Sequence, residues 1–162
     1  MKTLESLLWT VSPKFVLLGV GNPWRADDGA GPELLRRLRN KTSATLLNCE
    51  AAPENYLGEI VRIQPETVLV IDAVDLGTEA GAVALLEEDS FQSMGWSTHH
   101  GSLRALIQYI RANTRADVFV LGIQPKSTEW GGAITPEVSR TLDLLQRLLE
   151  THSTRSGPQI EG

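Results

Sequence analysis

The chain has 162 residues, 41% of them apolar and 22% charged, the proportions of an ordinary soluble globular protein with one core. A net charge of −5, from 15 Lys and Arg against 20 Asp and Glu, argues against a nucleic-acid partner and disfavours an anionic membrane surface. One cysteine, Cys49, rules out a disulfide within the chain, and no apolar run approaches the roughly 20 residues of a membrane helix.

The first residues, Met1 to Pro13, carry a single Lys and no long apolar stretch, so no signal peptide is read and the expected compartment is the cytoplasm. Met1 to Ser12 is a lead-in with room for a short helix. Phe15 to Val20 reads as a buried parallel strand, apolar on both faces. Gly21, Asn22 and Pro23 are turn residues. Asp27 and Asp28 stand where the next helix starts, and Leu34, Leu35 and Leu38 form its apolar face. Ala44 to Cys49 is a second strand. Pro53 opens a short amphipathic helix bearing Tyr56, Leu57, Ile60, Val61 and Ile63, which Pro65 ends. Thr67 to Ala73 is the clearest strand, β-branched and carrying Asp72 near its end.

Gly81 to Leu86 is a weaker strand, read as an antiparallel edge. Glu87 to His100 has no clean period and reads as loop. Leu103, Leu106, Ile107 and Ile110 recur at helical spacing, and Asp117 to Ile123 is another buried strand. Gln124 to Ile134 is a loop. Thr135 and Pro136 then start a helix as cap and first residue, with Val138, Leu142, Leu145 and Leu149 on its buried face. From His152 the composition turns polar and predicts a disordered tail. The order predicts an α/β three-layer sandwich, a mainly parallel sheet of about five strands covered by helices on both faces. A single domain over residues 1–151 is expected.

The chemistry is narrowed first by elimination. Gly19-Val20-Gly21 would need a glycine at position 24 for a dinucleotide fingerprint, and Trp24 stands there. There is no Walker A, no G-x-S-x-G and no H-E-x-x-H. Cys49 reads as a small buried hydrophobe rather than a nucleophile. What remains is Asp28 after the first strand, Asp72 ending the third, and His99 and His100 before a helix. In an open parallel sheet these positions converge beyond the carboxyl ends of the strands. Two carboxylates and an imidazole suit a divalent transition ion, or acid/base work. Each has a plainer reading. Asp27 can cap its helix, Asp72 can cap a turn through Ala73, Val74 and Asp75, and Asp75 and one histidine can be merely solvated. The loops 87–98 and 124–134 are expected to frame the cleft. Trp96 and Trp130 are read first as partly buried core, with substrate contact as the second reading.

Several separated motifs occur in order: Leu18-Gly19-Val20-Gly21-Asn22 with Asp27-Asp28-Gly29-Ala30-Gly31, then Val70-Ile71-Asp72-Ala73-Val74-Asp75, Ser97-Thr98-His99 and Leu121-Gly122-Ile123-Gln124-Pro125. Through these the chain resembles the hydrogenase maturation proteases, the endopeptidases that trim nickel–iron hydrogenase large subunits. Ala51-Ala52-Pro53-Glu54-Asn55 and Gly122-Ile123-Gln124-Pro125 are most similar to the branch serving formate-hydrogenlyase-type hydrogenases. The family's three metal-binding positions fall on Asp28, Asp72 and His99, with His100 at a position where the family varies. Where the family often has Gly-Gly after its second strand, Cys49-Glu50 stands here.

The resemblance implies a narrow reaction. The enzyme removes a C-terminal extension from the large-subunit precursor after nickel has been inserted. The nickel is supplied by the precursor and read through the three ligands; other divalent metals could substitute. A monomer is expected. The family is formally aspartic-type. A metal-assisted route is preferred over a proton-sharing aspartate pair, because His99 has no role in the latter. The alternatives are a non-catalytic nickel-sensing chaperone with the same ligands, and a nucleotide-binding α/β protein.

Overall fold

The structure is a computed structural model and describes residues 3–10, 14–87, 90 and 101–155. Its elements are α1 (Leu4–Thr10), β1 (Phe15–Val20), α2 (Ala30–Leu38), β2 (Thr45–Glu50), α3 (Leu57–Ile63), β3 (Thr67–Ala73), β4 (Val83–Leu86), α4 (Gly101–Asn113), β5 (Asp117–Ile123) and α5 (Pro136–Arg155). Short 3-10 turns at Ala26–Gly29 and Pro53–Tyr56 precede α2 and α3. Three boundaries differ from the sequence reading. β2 lies one residue later, β4 begins only after Gly81 has turned the chain with φ 86°, and α5 continues through Arg155, past His152. Residues 156–162, Trp96, His99, His100 and nearly all of the 87–98 loop lie outside the described residues.

Alternation along the strands decides which helices cover which face. Phe15, Leu17, Leu69, Ile71, Phe119, Leu121 and Ile123 point one way. There they meet Leu7 and Leu8 of α1, Leu34, Leu35 and Leu38 of α2, and Val138, Leu142, Leu145 and Leu149 of α5. Val16, Leu18, Val68, Val70, Val118 and Val120 point the other way, onto Ile60 of α3 and Leu103, Leu106, Ile107 and Ile110 of α4. Every residue of β3 is buried, as a central strand covered on both faces requires. The result is the three-layer α/β arrangement that the alternating pattern predicts.

The strand order is β2-β1-β3-β5-β4. β1, β2, β3 and β5 pair in parallel, and β4 joins β5 antiparallel as the expected edge. From β1 the chain moves outward to β2, then returns to place β3 on β1's other side. Between β1 and β3 the winding therefore reverses, and a crevice opens beyond their carboxyl ends.

Two glycines allow the close approach there. A Cβ on Gly31 would lie 2.2 Å from the Ile71 carbonyl oxygen, so only glycine lets the start of α2 rest on β3. A Cβ on Gly21, which has φ +139°, would lie 1.9 Å from the Asp28 carbonyl oxygen.

The end of β2 forms a bulge against β1, where Val20 pairs with Glu50. Glu50 has φ 51°, the left-handed region that glycine occupies without cost, and its carbonyl accepts from the Gly21 amide at 2.8 Å. A glutamate thus holds a conformation that glycine adopts without a Cβ penalty. Glu50→Gly is expected to raise the unfolding free energy by about 0.5 kcal/mol, the relief of Cβ strain less the added freedom of the unfolded chain. Urea midpoints of the two proteins check this.

Candidate active site

The crevice at the β1/β3 switch point is a cleft of about 260 Å³ lined by Val20, Gly21, Asn22, Arg25, Asp28, Ala51, Pro53, Asp72 and Leu103. Asp28 arrives on the 3-10 turn after β1 and accepts the Asn22 amide on Oδ2 at 2.9 Å. Asp72 arrives as the sixth residue of β3 and is only 9% exposed. Two of the three sequence-predicted ligands therefore share one cleft. The third, His99, lies outside the described residues. Among those residues, no third His, Cys, Asp or Glu side chain joins the pair.

The environment acts on the two carboxyls together. Burial pushes the Asp72 carboxyl well above the ordinary carboxylate range, and the charge of Asp28 pushes it the same way; the Ala73 amide pulls weakly against both. A buried acid beside a second acid favours a proton or a cation between them. The turn-capping reading of Asp72 survives only as that contact with Ala73. Asp75 is exposed and accepts the Gly77 amide at 3.0 Å, a local turn bond with no part in the cleft.

Asp27 does something the sequence did not disclose. It caps no helix of its own: Gly29 stands at the cap position before α2, and no side chain caps that end. It is fully enclosed, at 0% exposure. Its Oδ2 accepts the amides of Lys126 (2.9 Å) and Ser127 (3.2 Å) and the Thr135 hydroxyl (2.8 Å), and its Oδ1 accepts the Thr135 amide at 2.8 Å. Asp27 is a buckle that fastens the 124–134 loop and the start of α5 onto the turn carrying Asp28. The Thr135 hydroxyl, expected as a cap for α5, donates to Asp27 instead.

Gln124 fastens a second segment. Its Oε1 accepts the Leu76 amide at 2.6 Å, holding the chain that leaves β3 after Asp72. A glutamine directly after a strand read as buried was the signal available in the sequence, and the structure buries it.

Of the two loops expected to frame the cleft, 87–98 lies almost wholly outside the described residues, and only 124–134 can be compared. The 124–134 loop supplies none of the described lining and reaches the cleft only through Arg25; Ala51 and Pro53 after β2, and Leu103 of α4, line it instead. Trp130 is no core residue, being 71% exposed. Cys49 is buried as read, and burial, aided by the charge of Glu54, pushes its thiol up to about 12, far from a nucleophile's range.

Fold and crevice define an α/β protein with paired carboxylates at its topological switch point, a frame for hydrolytic or metal-binding chemistry. The sequence profile of the HycI family, described as hydrogenase maturation protease, matches residues 31–152. The hydrogenase 3 maturation protease of Escherichia coli K12 is 30% identical over 138 residues, covering 83% of this chain and 88% of that protein. The crystal structure of a [NiFe] hydrogenase maturation protease HycI from Thermococcus kodakarensis superposes with a TM-score of 0.86 at 28% identity, over 94% of this chain and 99% of that one. The solution structure of the endopeptidase HycI from Escherichia coli gives 0.77 at 30% identity, over 85% and 90%. The chain belongs to the hydrogenase maturation protease family and is a peptidase of that class.

Proposed function

We propose that this protein removes the C-terminal extension of a nickel-loaded hydrogenase large-subunit precursor of the formate-hydrogenlyase type, and that Asp28, Asp72 and His99 read the nickel which the precursor carries. The observation that supports this reading is the Asp28–Asp72 pair, two acids drawn together at a switch-point crevice where the charge of one opposes ionisation of the other. Such a pair is relieved by a cation. Two carboxylates and an imidazole are a donor set suited to a first-row divalent ion. His99, the third donor in this reading, lies outside the described residues.

In this reading nickel arrives as part of the substrate. Asp28 and Asp72 anchor it at the crevice, and His99 completes the grip with a neutral ring nitrogen. The scissile bond is thereby placed beside the carboxylates. With the cation held, both carboxylates would be ionised and their mutual repulsion relieved, and the ion would polarise the scissile carbonyl or activate the attacking water. Other divalent metals could occupy the same donors.

Release of the extension from nickel-loaded precursor separates this reading from a nickel-sensing chaperone, which would bind the precursor and leave it intact. Replacing His99 by Ala is expected to block release, and replacing His100 by Ala to leave it near the parent rate. An active His99→Ala protein beside an inactive His100→Ala protein would move the ligand by one residue.

A further inference from the structure

Arg25 is the only cationic residue among the described lining of a cleft that holds two acids. It forms no ion pair with either of them. Its Nε donates to the Thr128 carbonyl at 3.2 Å, and its guanidinium lies 5.4 Å from the centroid of the Trp130 ring. Its terminal nitrogens bond to no acceptor among the described residues. A partly buried guanidinium held from behind, with its fork unpaired, is shaped for a planar carboxylate.

The mounting is rigid. The Arg25 amide donates to the Asn22 carbonyl at 3.1 Å, and the Arg25 carbonyl accepts from the Asp28 amide at 3.0 Å, so Arg25 and Asp28 ride on one turn. The Gly131 amide donates to the Trp24 carbonyl at 2.7 Å, and the Asp27 amide to the Ser127 carbonyl at 2.9 Å. With the Asp27 buckle, these bonds lock the loop bearing Trp130 against the turn bearing Arg25. Trp130 remains 71% exposed although it backs a cleft residue, and a large exposed aromatic beside an arginine is the composition of a recognition hot spot.

We infer that Arg25, backed by Trp130, is the substrate-positioning residue of this cleft. Its terminal nitrogens take an acidic side chain of the precursor close to the scissile bond. Asp28 and Asp72 repel that same side chain from the rest of the cleft, so the bound segment has one register. The inference rests on the proposed reading that the cleft cleaves a polypeptide. The recognised chemistry is a carboxylate on an extended chain.

The test uses the full-length protein and the large-subunit precursor, following affinity by calorimetry and cleavage by mass. Loss of the charge-assisted bond in Arg25→Gln is expected to weaken binding and raise KM by about tenfold or more, with kcat within about twofold. Arg25→Lys should recover part of the loss, since a point charge replaces the fork. Trp130→Ala should raise KM by less than Arg25→Gln does. Acidic residues of the precursor near the scissile bond are then changed to their amides one at a time. One of these changes should weaken binding to the parent as much as Arg25→Gln does, and cause no further loss with Arg25→Gln. A KM and affinity for Arg25→Gln within twofold of the parent would overturn the inference, as would additive losses at every acidic position. If the parent binds the precursor without cleaving it, the proposed activity fails and the affinity cycle still decides the role of Arg25. If it does not bind, both fail.

Discussion

Asp72→Asn is expected to abolish cleavage and to stabilise the metal-free protein above the carboxylate range. On the proposed reading the cleavage rate should fall by at least about 10²-fold, because the neutral amide is a far weaker ligand for a divalent cation than the carboxylate. The gain in stability follows from the location of Asp72. Burial and Asp28 both raise its folded-state titration above that of the unfolded chain. Between the two pKa values the folded protein binds the extra proton, so stability falls as pH rises through that window. Below the unfolded value, near ~3.9, parent and variant should be equally stable. Above the raised folded value the parent carries a desolvated charge that the variant lacks, and the variant should melt higher. Melting curves across pH, with chelator present, read the divergence directly. Parallel curves for the two proteins would show that the carboxyl of Asp72 is not perturbed. The same pattern is common where function stores charge at the expense of stability.

Asp27→Asn, one residue from a proposed ligand, should behave in the opposite way. The native carboxylate accepts four hydrogen bonds from Lys126, Ser127 and Thr135 in an enclosed position. An amide turns one of these acceptors into a donor facing donors, whichever way it is oriented. Leaving such groups buried and unpaired is expected to lower the unfolding free energy by about 3 kcal/mol or more. Thr135→Val removes only the hydroxyl bond and should lose about 1 kcal/mol. Urea unfolding at unchanged m-value measures both. Equal losses for the two variants would mean that Asp27 is not the centre of the buckle.

The strands, the helix faces and the edge position of β4 were legible because apolar residues recur at the periods that sheets and helices impose. Asp28 and Asp72 were legible as partners because each follows a buried parallel strand, and such ends converge. The work of Asp27 was not, since its partners lie 99 to 108 residues away and a carboxylate beside a helix start looks like a cap. Glu50 hid for a related reason: nothing in a glutamate announces a left-handed backbone, and only the bulge against Val20 demands one. Trp130 was misjudged as core because tryptophan is mostly buried on average, whereas here the ring is exposed and lies beside the guanidinium of Arg25.

The central claim is that the precursor's nickel licenses the cut. Its most direct test is incubation of the parent protein with nickel-loaded and nickel-free precursor, followed by mass analysis of the products. Shortening of the nickel-loaded precursor alone, by a single C-terminal peptide, is the predicted result. Complete cleavage of the nickel-free precursor would contradict metal reading and leave Asp28 and Asp72 as an acid/base pair.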